Sequence, residues 1–133
     1  MADWNIPDSV KYTENDEWIM VSGDTAKVGL TDYAQDQLSD IVFVDLEVEA
    51  GGEVAKGAPF ATVESVKAAS DVYAPASGTV VATNGALEST PERINSDPYG
   101  EGWLIEIRLS NPAELNDLLD AAAYTRHCEE REH

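Results

Sequence analysis

The fold is organised around the stretch Val63-Glu64-Ser65-Val66-Lys67-Ala68-Ala69-Ser70-Asp71-Val72, which reads almost as a palindrome. Folding it back on itself pairs residue 63 with 72, 64 with 71 and 65 with 70. This pattern predicts two antiparallel strands joined by a tip at residues 66–69, with Lys67 second in the turn. Glu64 and Asp71 would then lie directly opposite, a like-charge pair that costs roughly 0.2–1 kcal/mol. Such a cost indicates that the tip serves something other than folding.

The segments around this hairpin extend its symmetry. Gly57 and Gly78 lie ten residues before and eleven residues after Lys67, each in a turn-like segment. The register of such a hairpin is well specified only if one of its faces is buried. Lys67 is the only basic residue between Gly57 and Glu92, so a partner enzyme would meet one ammonium group among carboxylates. The alternative is a lysine that only solubilises the turn.

Length and composition predict one domain over residues 1–133, with a core at about 10–124 and a frayed tail at 125–133. Apolar residues make up 43% of the chain, a fraction typical of globular proteins. No apolar run approaches the ~20 residues of a membrane span. The N-terminus also lacks the basic and apolar regions of a signal peptide. We therefore expect a cytoplasmic protein, or a mature one after import, that does not bind membranes.

The net charge of −18 predicts that the chain binds neither nucleic acid nor anionic lipid, and that its partners present basic surfaces. The alternative is that the acidic surface serves only solubility. Cys128 is the only cysteine, which excludes an intrachain disulfide. Both histidines, His127 and His133, lie in the tail, and no Cys or His cluster has the spacing of metal ligands. We therefore expect no metal site.

The rest of the pattern predicts short strands and few helices. Strands are expected at residues 17–21 and 25–29 around a Gly-Asp turn, at 60–66 and 70–73 in the lysine hairpin, and at 41–48, 78–83 and 103–109. The strand at 41–48 is expected to be buried on both faces near its start. A short helix is predicted from Asp32, its N-cap residue, to about Leu38, and a helical turn near Pro91.

The end of the chain predicts a longer helix. Asn111, Pro112 and Glu114 have the spacing of a helix start, and an apolar face follows at Leu115, Leu118, Leu119 and Ala122. Beyond Thr125 the charged tail is expected to fray. Pattern alone therefore predicts a mostly β sandwich or flattened barrel with short helices and a C-terminal helix.

Three segments together resemble the H-protein family of the glycine cleavage system. They are Gly29-Leu30-Thr31-Asp32-Tyr33-Ala34-Gln35 running on to Ile41-Val42-Phe43-Val44, then Val63-Glu64-Ser65-Val66-Lys67-Ala68 with Tyr73-Ala74-Pro75 and Gly78, and finally Asn95-Ser96-Asp97-Pro98-Tyr99-Gly100-Glu101-Gly102-Trp103-Leu104. The resemblance covers about residues 10–124. It implies a barrel-sandwich hybrid fold, like that of lipoyl and biotinyl carriers, in which Lys67 carries lipoate as an amide.

The resemblance also implies a role for the chain. The chain would be a monomeric carrier without catalytic residues of its own, shuttling the aminomethyl group of glycine on a lipoyl-lysine arm. Its partners would be the pyridoxal-phosphate enzyme glycine decarboxylase, the tetrahydrofolate-dependent aminomethyltransferase, the flavoprotein dihydrolipoamide dehydrogenase and a lipoate-attaching enzyme. A primary amine suits such an attachment, since an acylating enzyme converts it into an uncharged amide.

Further site residues follow from the same resemblance. Glu17, Tyr33 and Asp71 would contact the loaded arm, with Glu17 holding its ammonium group by a charge-assisted hydrogen bond. Glu64 and Gly78 would serve the lipoate-attaching enzyme, the first for recognition and the second for hairpin geometry. The alternative is that Glu17 and Glu64 are ordinary exposed strand residues and Gly78 an ordinary turn residue.

Other functions remain open at this point. A biotin carrier also places a lysine on a hairpin tip, but its lysine is typically flanked by methionines, whereas Val66 and Ala68 flank Lys67. A lipoyl domain of a 2-oxo acid dehydrogenase is shorter and normally has Asp before the lysine. The remaining alternatives are an H-like protein that relays lipoyl groups, an enzyme that uses paired acids, and a structural interaction module.

Overall fold

A computed structural model describes residues 4–131, and within them the chain forms two antiparallel sheets. The strands are β1 (Lys11–Tyr12), β2 (Glu17–Ser22), β3 (Thr25–Leu30), β4 (Ile41–Leu46), β5 (Glu53–Val54), β6 (Pro59–Ser65), β7 (Ala69–Tyr73), β8 (Gly78–Thr83) and β9 (Ile105–Leu109). The helices are α1 (Asp32–Leu38), α2 (Ala86–Ser89), α3 (Arg93–Ser96) and α4 (Ala121–Arg131), with a 3₁₀ helix at Pro112–Asp117.

The larger sheet has the order β1-β2-β3-β9-β8-β5, and the smaller sheet has the order β4-β6-β7. Ser22 pairs with Thr25 across the Gly-Asp turn, and Gly23 there has φ +66°, a conformation that favours glycine. The seven predicted strands are confirmed, whereas the short strands β1 and β5 were not predicted. The predicted helix at residues 32–38 is also confirmed, and the expected helical turn near Pro91 corresponds to α3.

The two sheets share one apolar core. Alternate residues of the strands point inward, so both sheets contribute buried side chains such as Ile19, Val28, Phe60, Val63 and Val72. A second cluster lies beneath α4, where the rings of Tyr12 and Tyr124 stack with centroids 4.5 Å apart. The second cluster joins α4 to the edge of the larger sheet.

The N-cap of α1 is one residue earlier than predicted. The hydroxyl of Thr31, and not the carboxylate of Asp32, accepts the hydrogen bond from the Ala34 N–H at 3.1 Å. Thr31 Oγ1 also lies 2.6 Å from the Tyr124 hydroxyl. The cap is therefore determined by a buried contact with α4, which the local sequence pattern does not contain.

Strand β4 does not have the predicted burial. Ile41 and Val44 are buried, but Val42 and Phe43 are exposed. The pairing with β6 shifts between Ile41 and Phe43, which indicates a β-bulge. A bulge places an extra residue in one strand and breaks the alternation of faces, so two consecutive apolar residues lie on the solvent side.

The end of the chain also differs from the prediction. Residues 112–117 form the 3₁₀ helix, Leu119 then pairs with Tyr12 as an isolated bridge, and the α-helix starts only at Ala121. Ala122 is exposed and is not part of an apolar face. The helix continues to Arg131 where fraying was predicted, because Tyr124 and Cys128 are buried against the second cluster. Residues 132 and 133 lie outside the described part.

We expect Gly78→Ala to destabilise the protein by about 2 kcal/mol or more in urea unfolding. Gly78 is buried in β8, and a Cβ atom there would overlap the backbone carbonyl oxygen of Arg108 on β9, which cannot move without disturbing the sheet.

Gly85→Ala is the matched control, because a Cβ at Gly85 would meet no atom within 4 Å and its φ is −62°. This control should have at least wild-type stability. Equal unfolding midpoints for both variants would contradict the packing seen at Gly78.

Candidate functional site

The tip of the β6–β7 hairpin is a turn of four residues, Ser65 to Ala68, held by hydrogen bonds to its first residue. The Ser65 N–H donates to the Ala68 carbonyl at 2.7 Å. The Ser65 hydroxyl oxygen accepts from the backbone N–H groups of Lys67 at 3.3 Å and Ala68 at 3.1 Å. Serine side chains stabilise turns in this way. Lys67 is thereby presented at an exposed position of a defined backbone.

The hairpin register differs from the palindromic prediction by two residues. Asp71 lies opposite Thr62, and Glu64 lies opposite Ala69. A slip of two keeps every side chain on its predicted face, because the period of a strand is two. It also separates the two carboxylates, and the Asp71 carboxylate instead accepts a hydrogen bond from the Thr62 hydroxyl at 3.4 Å. The turn lies at residues 65–68 instead of the predicted 66–69, and this shift avoids the predicted repulsion between Glu64 and Asp71.

Neighbouring backbone anchors the tip on its other side. The Val66 N–H donates to the Asp40 carbonyl at 3.0 Å, just before β4. Asn95 holds this junction, since its side chain accepts from the Ile41 N–H at 2.9 Å and donates to the Ser39 carbonyl at 2.9 Å. The tip is thus joined through β4 and α3 to the rest of the domain.

The Lys67 side chain extends from this support into solvent. It makes no hydrogen bond or ion pair with any residue in the range 4–131. Glu64 and Asp71 are exposed on the strands that lead into the turn. The ammonium group is therefore accessible to solvent, and an exposed carboxylate lies on each of the two strands that flank its turn.

Glu17 is a buried carboxylate, with 1% of its surface exposed. It accepts hydrogen bonds from the Thr13 hydroxyl at 2.6 Å and from the Tyr73 N–H, at the end of β7, at 3.1 Å. Desolvation by burial outweighs these two hydrogen bonds and raises the pKa of Glu17 to about 7. The alternative of an exposed strand carboxylate is therefore wrong.

A cleft of about 370 Å³ opens beside Glu17, at the base of the hairpin where the Gly57 N–H donates to the Ala74 carbonyl. Its polar lining includes Thr13, Glu14, Asn15, Glu17, Lys56 and Asp117. The cleft and the lysine therefore lie at opposite ends of β7.

The loop that precedes Glu17 is held by α4. Asp16 has φ +72° and accepts from the Arg131 guanidinium at 2.5 and 3.1 Å and from the Tyr124 hydroxyl at 2.8 Å. This anchor was not predicted, because residues more than 100 positions apart in the sequence have no local signal. Thr13 was missed too, although its position four residues before Glu17 is a short-range signal that could have identified it.

Two predicted site residues lie away from the hairpin surface. Tyr33 is 4% exposed and contacts the Trp4 ring, with centroids 4.7 Å apart, and the Arg131 guanidinium at 4.3 Å. Gly78 is buried in β8 of the larger sheet. The structure thus brings Lys67, Glu64 and Asp71 together on one hairpin and connects Glu17 to its far end.

Residues 4–131 contain neither a cluster of metal ligands nor a membrane-spanning helix. No group of three or more His, Cys, Asp or Glu side chains there is arranged to hold a metal ion. In the same residues, no helix has the length and apolar character needed to cross a membrane.

Comparison with known proteins identifies the family. The family model described as "Glycine cleavage H-protein" matches residues 10–131. The chain is 58% identical over 120 residues to the glycine cleavage system H protein of Symbiobacterium thermophilum, an alignment covering 90% of this chain and 93% of that protein. It is 49% identical over 128 residues to the mitochondrial glycine cleavage system H protein of Flaveria pringlei, covering 96% and 78%.

A crystal structure of the glycine cleavage system H protein from Mycobacterium marinum has the same fold. It matches with a TM-score of 0.82 and 36% identity, over 96% of this chain and 100% of that chain. The mostly β fold with short helices and a C-terminal helix is confirmed. The chain belongs to the glycine cleavage H-protein family.

Proposed function

We propose that this chain is the lipoyl carrier of glycine cleavage, with lipoate attached as an amide to Lys67. The observation that carries the proposal is the exposed Lys67 amine on a hydrogen-bonded turn, without a partner in residues 4–131. An amine that makes no competing contact can enter the site of an acylating enzyme without breaking native interactions.

When attached, lipoate supplies a dithiolane that accepts the aminomethyl group of glycine and is afterwards reoxidised. The chain acts as a cosubstrate without catalytic residues of its own. Its partners are glycine decarboxylase, aminomethyltransferase, dihydrolipoamide dehydrogenase and a lipoate-attaching enzyme. We propose the cytoplasm as its compartment, because relatives such as that of Symbiobacterium thermophilum are bacterial, although the Flaveria pringlei relative is described as mitochondrial.

The dimensions of the hairpin suit this role. A lipoyl-lysine side chain reaches on the order of 10–15 Å, as judged from ordinary bond lengths. The four residue steps of β7 from Ala69 to Tyr73 span about 13 Å. The arm is therefore about as long as β7 and can extend along it from the tip towards the cleft. Asp71 lies along this path, because residues two apart in a strand share a face.

Glu17 is the proposed acceptor for a positively charged group in the cleft. Its carboxylate is shielded from water and is held by Thr13 and Tyr73. A cation beside it favours the charged form, so the pKa of Glu17 should fall from about 7 when such a group binds. We do not extend arm contact to Tyr33, because that side chain is buried against Trp4 and Arg131.

Glu64 and Gly78 have different proposed roles in lipoate attachment. Glu64 is exposed one residue before the turn, where an acylating enzyme can contact it directly. Gly78 is buried, so we propose that it acts only by allowing the close approach of β8 and β9.

We expect Lys67→Arg to abolish glycine oxidation in a reconstituted system that contains the lipoate-attaching enzyme and the three other partners. Arginine keeps the positive charge of the turn but offers no amine that can be acylated at neutral pH. Glycine-dependent NADH formation should fall at least about 100-fold, towards the rate without carrier, since the arm provides the only route between the partner enzymes.

Lys11→Arg is the matched control, because Lys11 is also exposed but lies in β1, away from the turn. It should retain the wild-type rate. Undiminished turnover with Lys67→Arg would refute the carrier role.

We also expect the stability of the protein to depend on pH through Glu17. Its raised pKa means that the folded state binds more protons than the unfolded state between about pH 4.5 and 7. The cost of burying the charged carboxylate is therefore absent below about pH 4.5. It grows as the pH rises towards the folded pKa and levels off above about pH 7. Relative to Glu17→Gln, the wild type should lose on the order of 3 kcal/mol of unfolding free energy between pH 4.5 and 8.

Urea unfolding of both proteins at several pH values measures this difference in unfolding free energy. The test is how the difference changes with pH, because the glutamine also alters the hydrogen bonds to Thr13 and Tyr73 at every pH. Glu14→Gln removes an exposed carboxylate of the same loop and serves as the control. Parallel stability curves for wild type and Glu17→Gln would contradict a buried carboxylate that titrates near pH 7.

A further inference from the structure

The most exposed large apolar side chains in residues 4–131 are concentrated around Lys67. The described residues include four such side chains, and three of them lie in the turn or on the neighbouring strand β4. Val42 is 54% exposed, Phe43 47% and Val66 66%. We call these three residues the tip patch. Single exposed apolar residues are ordinary, but a cluster beside a functional group indicates an interaction surface.

Backbone pairing places the members of the tip patch together. Phe43 lies directly opposite Glu64, the residue before the turn. Val66 belongs to the turn itself, and its N–H donates to the Asp40 carbonyl, two residues before Val42. The bulge in β4 points both Val42 and Phe43 towards solvent. The patch is therefore part of the same backbone unit that positions the lysine.

Carboxylates surround the tip patch. Asp40, Asp45, Glu64 and Asp71 are all exposed, and none of them forms an ion pair within the described residues. Lys67 is the only basic residue in β4, β6, β7 and the turn that joins β6 to β7. A complementary partner surface is an apolar depression surrounded by Lys and Arg side chains.

We propose that the tip patch is the docking surface for the enzyme that acylates Lys67. The inference rests on the proposed function and adds which surface that enzyme binds. Acylation takes place at Nζ, about 6 Å from the Lys67 Cα atom, so this enzyme must cover the turn and the side chains next to it. Enzymes that act on the dithiolane meet it roughly 10–15 Å away and need not cover the patch.

The reaction itself requires this close approach. The Lys67 ammonium gives up a proton, and its nitrogen forms a bond to the acyl carbon of an activated lipoyl group, such as the mixed anhydride of lipoate and adenylate. The bond from that carbon to the phosphate oxygen then breaks, adenylate leaves with the electron pair, and the amide nitrogen loses a second proton. Covering Val66 and Phe43 removes water from around the anhydride, which would otherwise hydrolyse.

The test measures lipoylation of the full chain by purified lipoate–protein ligase with lipoate and ATP, and follows initial rates by intact mass. The double variant Val42→Ser/Phe43→Ser and the single variant Val66→Ser should each raise the KM for the carrier about ten-fold, with kcat within about two-fold. Val21→Ser is the matched control, because Val21 is 43% exposed but lies on β2 of the other sheet, and its KM should not change.

Charge provides a second readout. Asp45→Asn should also raise the KM, and the wild-type KM should rise with added NaCl, because the carboxylates around the patch attract a basic surface. Urea unfolding verifies that each variant is folded. Should the double variant be unfolded, Val66→Ser alone decides, since its side chain lies in an exposed turn.

The outcomes separate this inference from the proposed function. If the wild-type chain is not acylated on Lys67, the carrier role itself is wrong. If the wild type is acylated and the patch variants keep its KM, the carrier role stands and the docking surface is refuted. The docking proposal is equally refuted if lipoylated patch variants lose only their reaction with glycine decarboxylase, because the patch then binds that enzyme.

Discussion

The site depends on one constraint, the hydrogen-bonded turn from Ser65 to Ala68 at the end of two paired strands. The Ser65 side chain accepts from two backbone N–H groups of the turn, and the Val66 N–H is bound to the Asp40 carbonyl. The backbone of Lys67 therefore has a fixed position, while its side chain is free in solvent. Such an arrangement combines a stationary support with a side chain that is free to move, which the proposed attachment of a carrier arm requires.

The second part of the site is stabilised by contacts between distant parts of the chain. Glu17 begins β2 directly after a loop that is attached to α4 through the contact between Asp16 and Arg131, and it accepts a hydrogen bond from the Tyr73 N–H at the far end of β7. The hairpin therefore connects the lysine with the buried carboxylate. Burial raises the pKa of Glu17, and a cation placed beside it would favour the charged carboxylate.

Local patterns predicted seven of the nine strands in the described residues, α1 and the exposed lysine, because alternation and turn residues act over a few positions. The two-residue strands β1 and β5 were not predicted, because they are too short to show alternation. The predicted hairpin register was wrong by two residues. The palindrome pairs identical or similar residue types, whereas hydrogen bonds to the Ser65 side chain determine where the turn closes. The exposure of Phe43 depends on a bulge in the pairing with β6, and the stability of α4 depends on the burial of Tyr124. The burial of Glu17 likewise could not be predicted, because the loop before it is held by α4, more than 100 residues later in the sequence.

The proposed function requires Lys67 to be the amine that carries lipoate. The decisive experiment is peptide mass mapping of the wild-type chain after expression with a lipoylating system. We expect one lipoyl group per chain, found only on the peptide that contains Lys67. Lipoate on Lys11, Lys27 or Lys56 instead, or an unmodified Lys67 under conditions that lipoylate a known carrier, would contradict it.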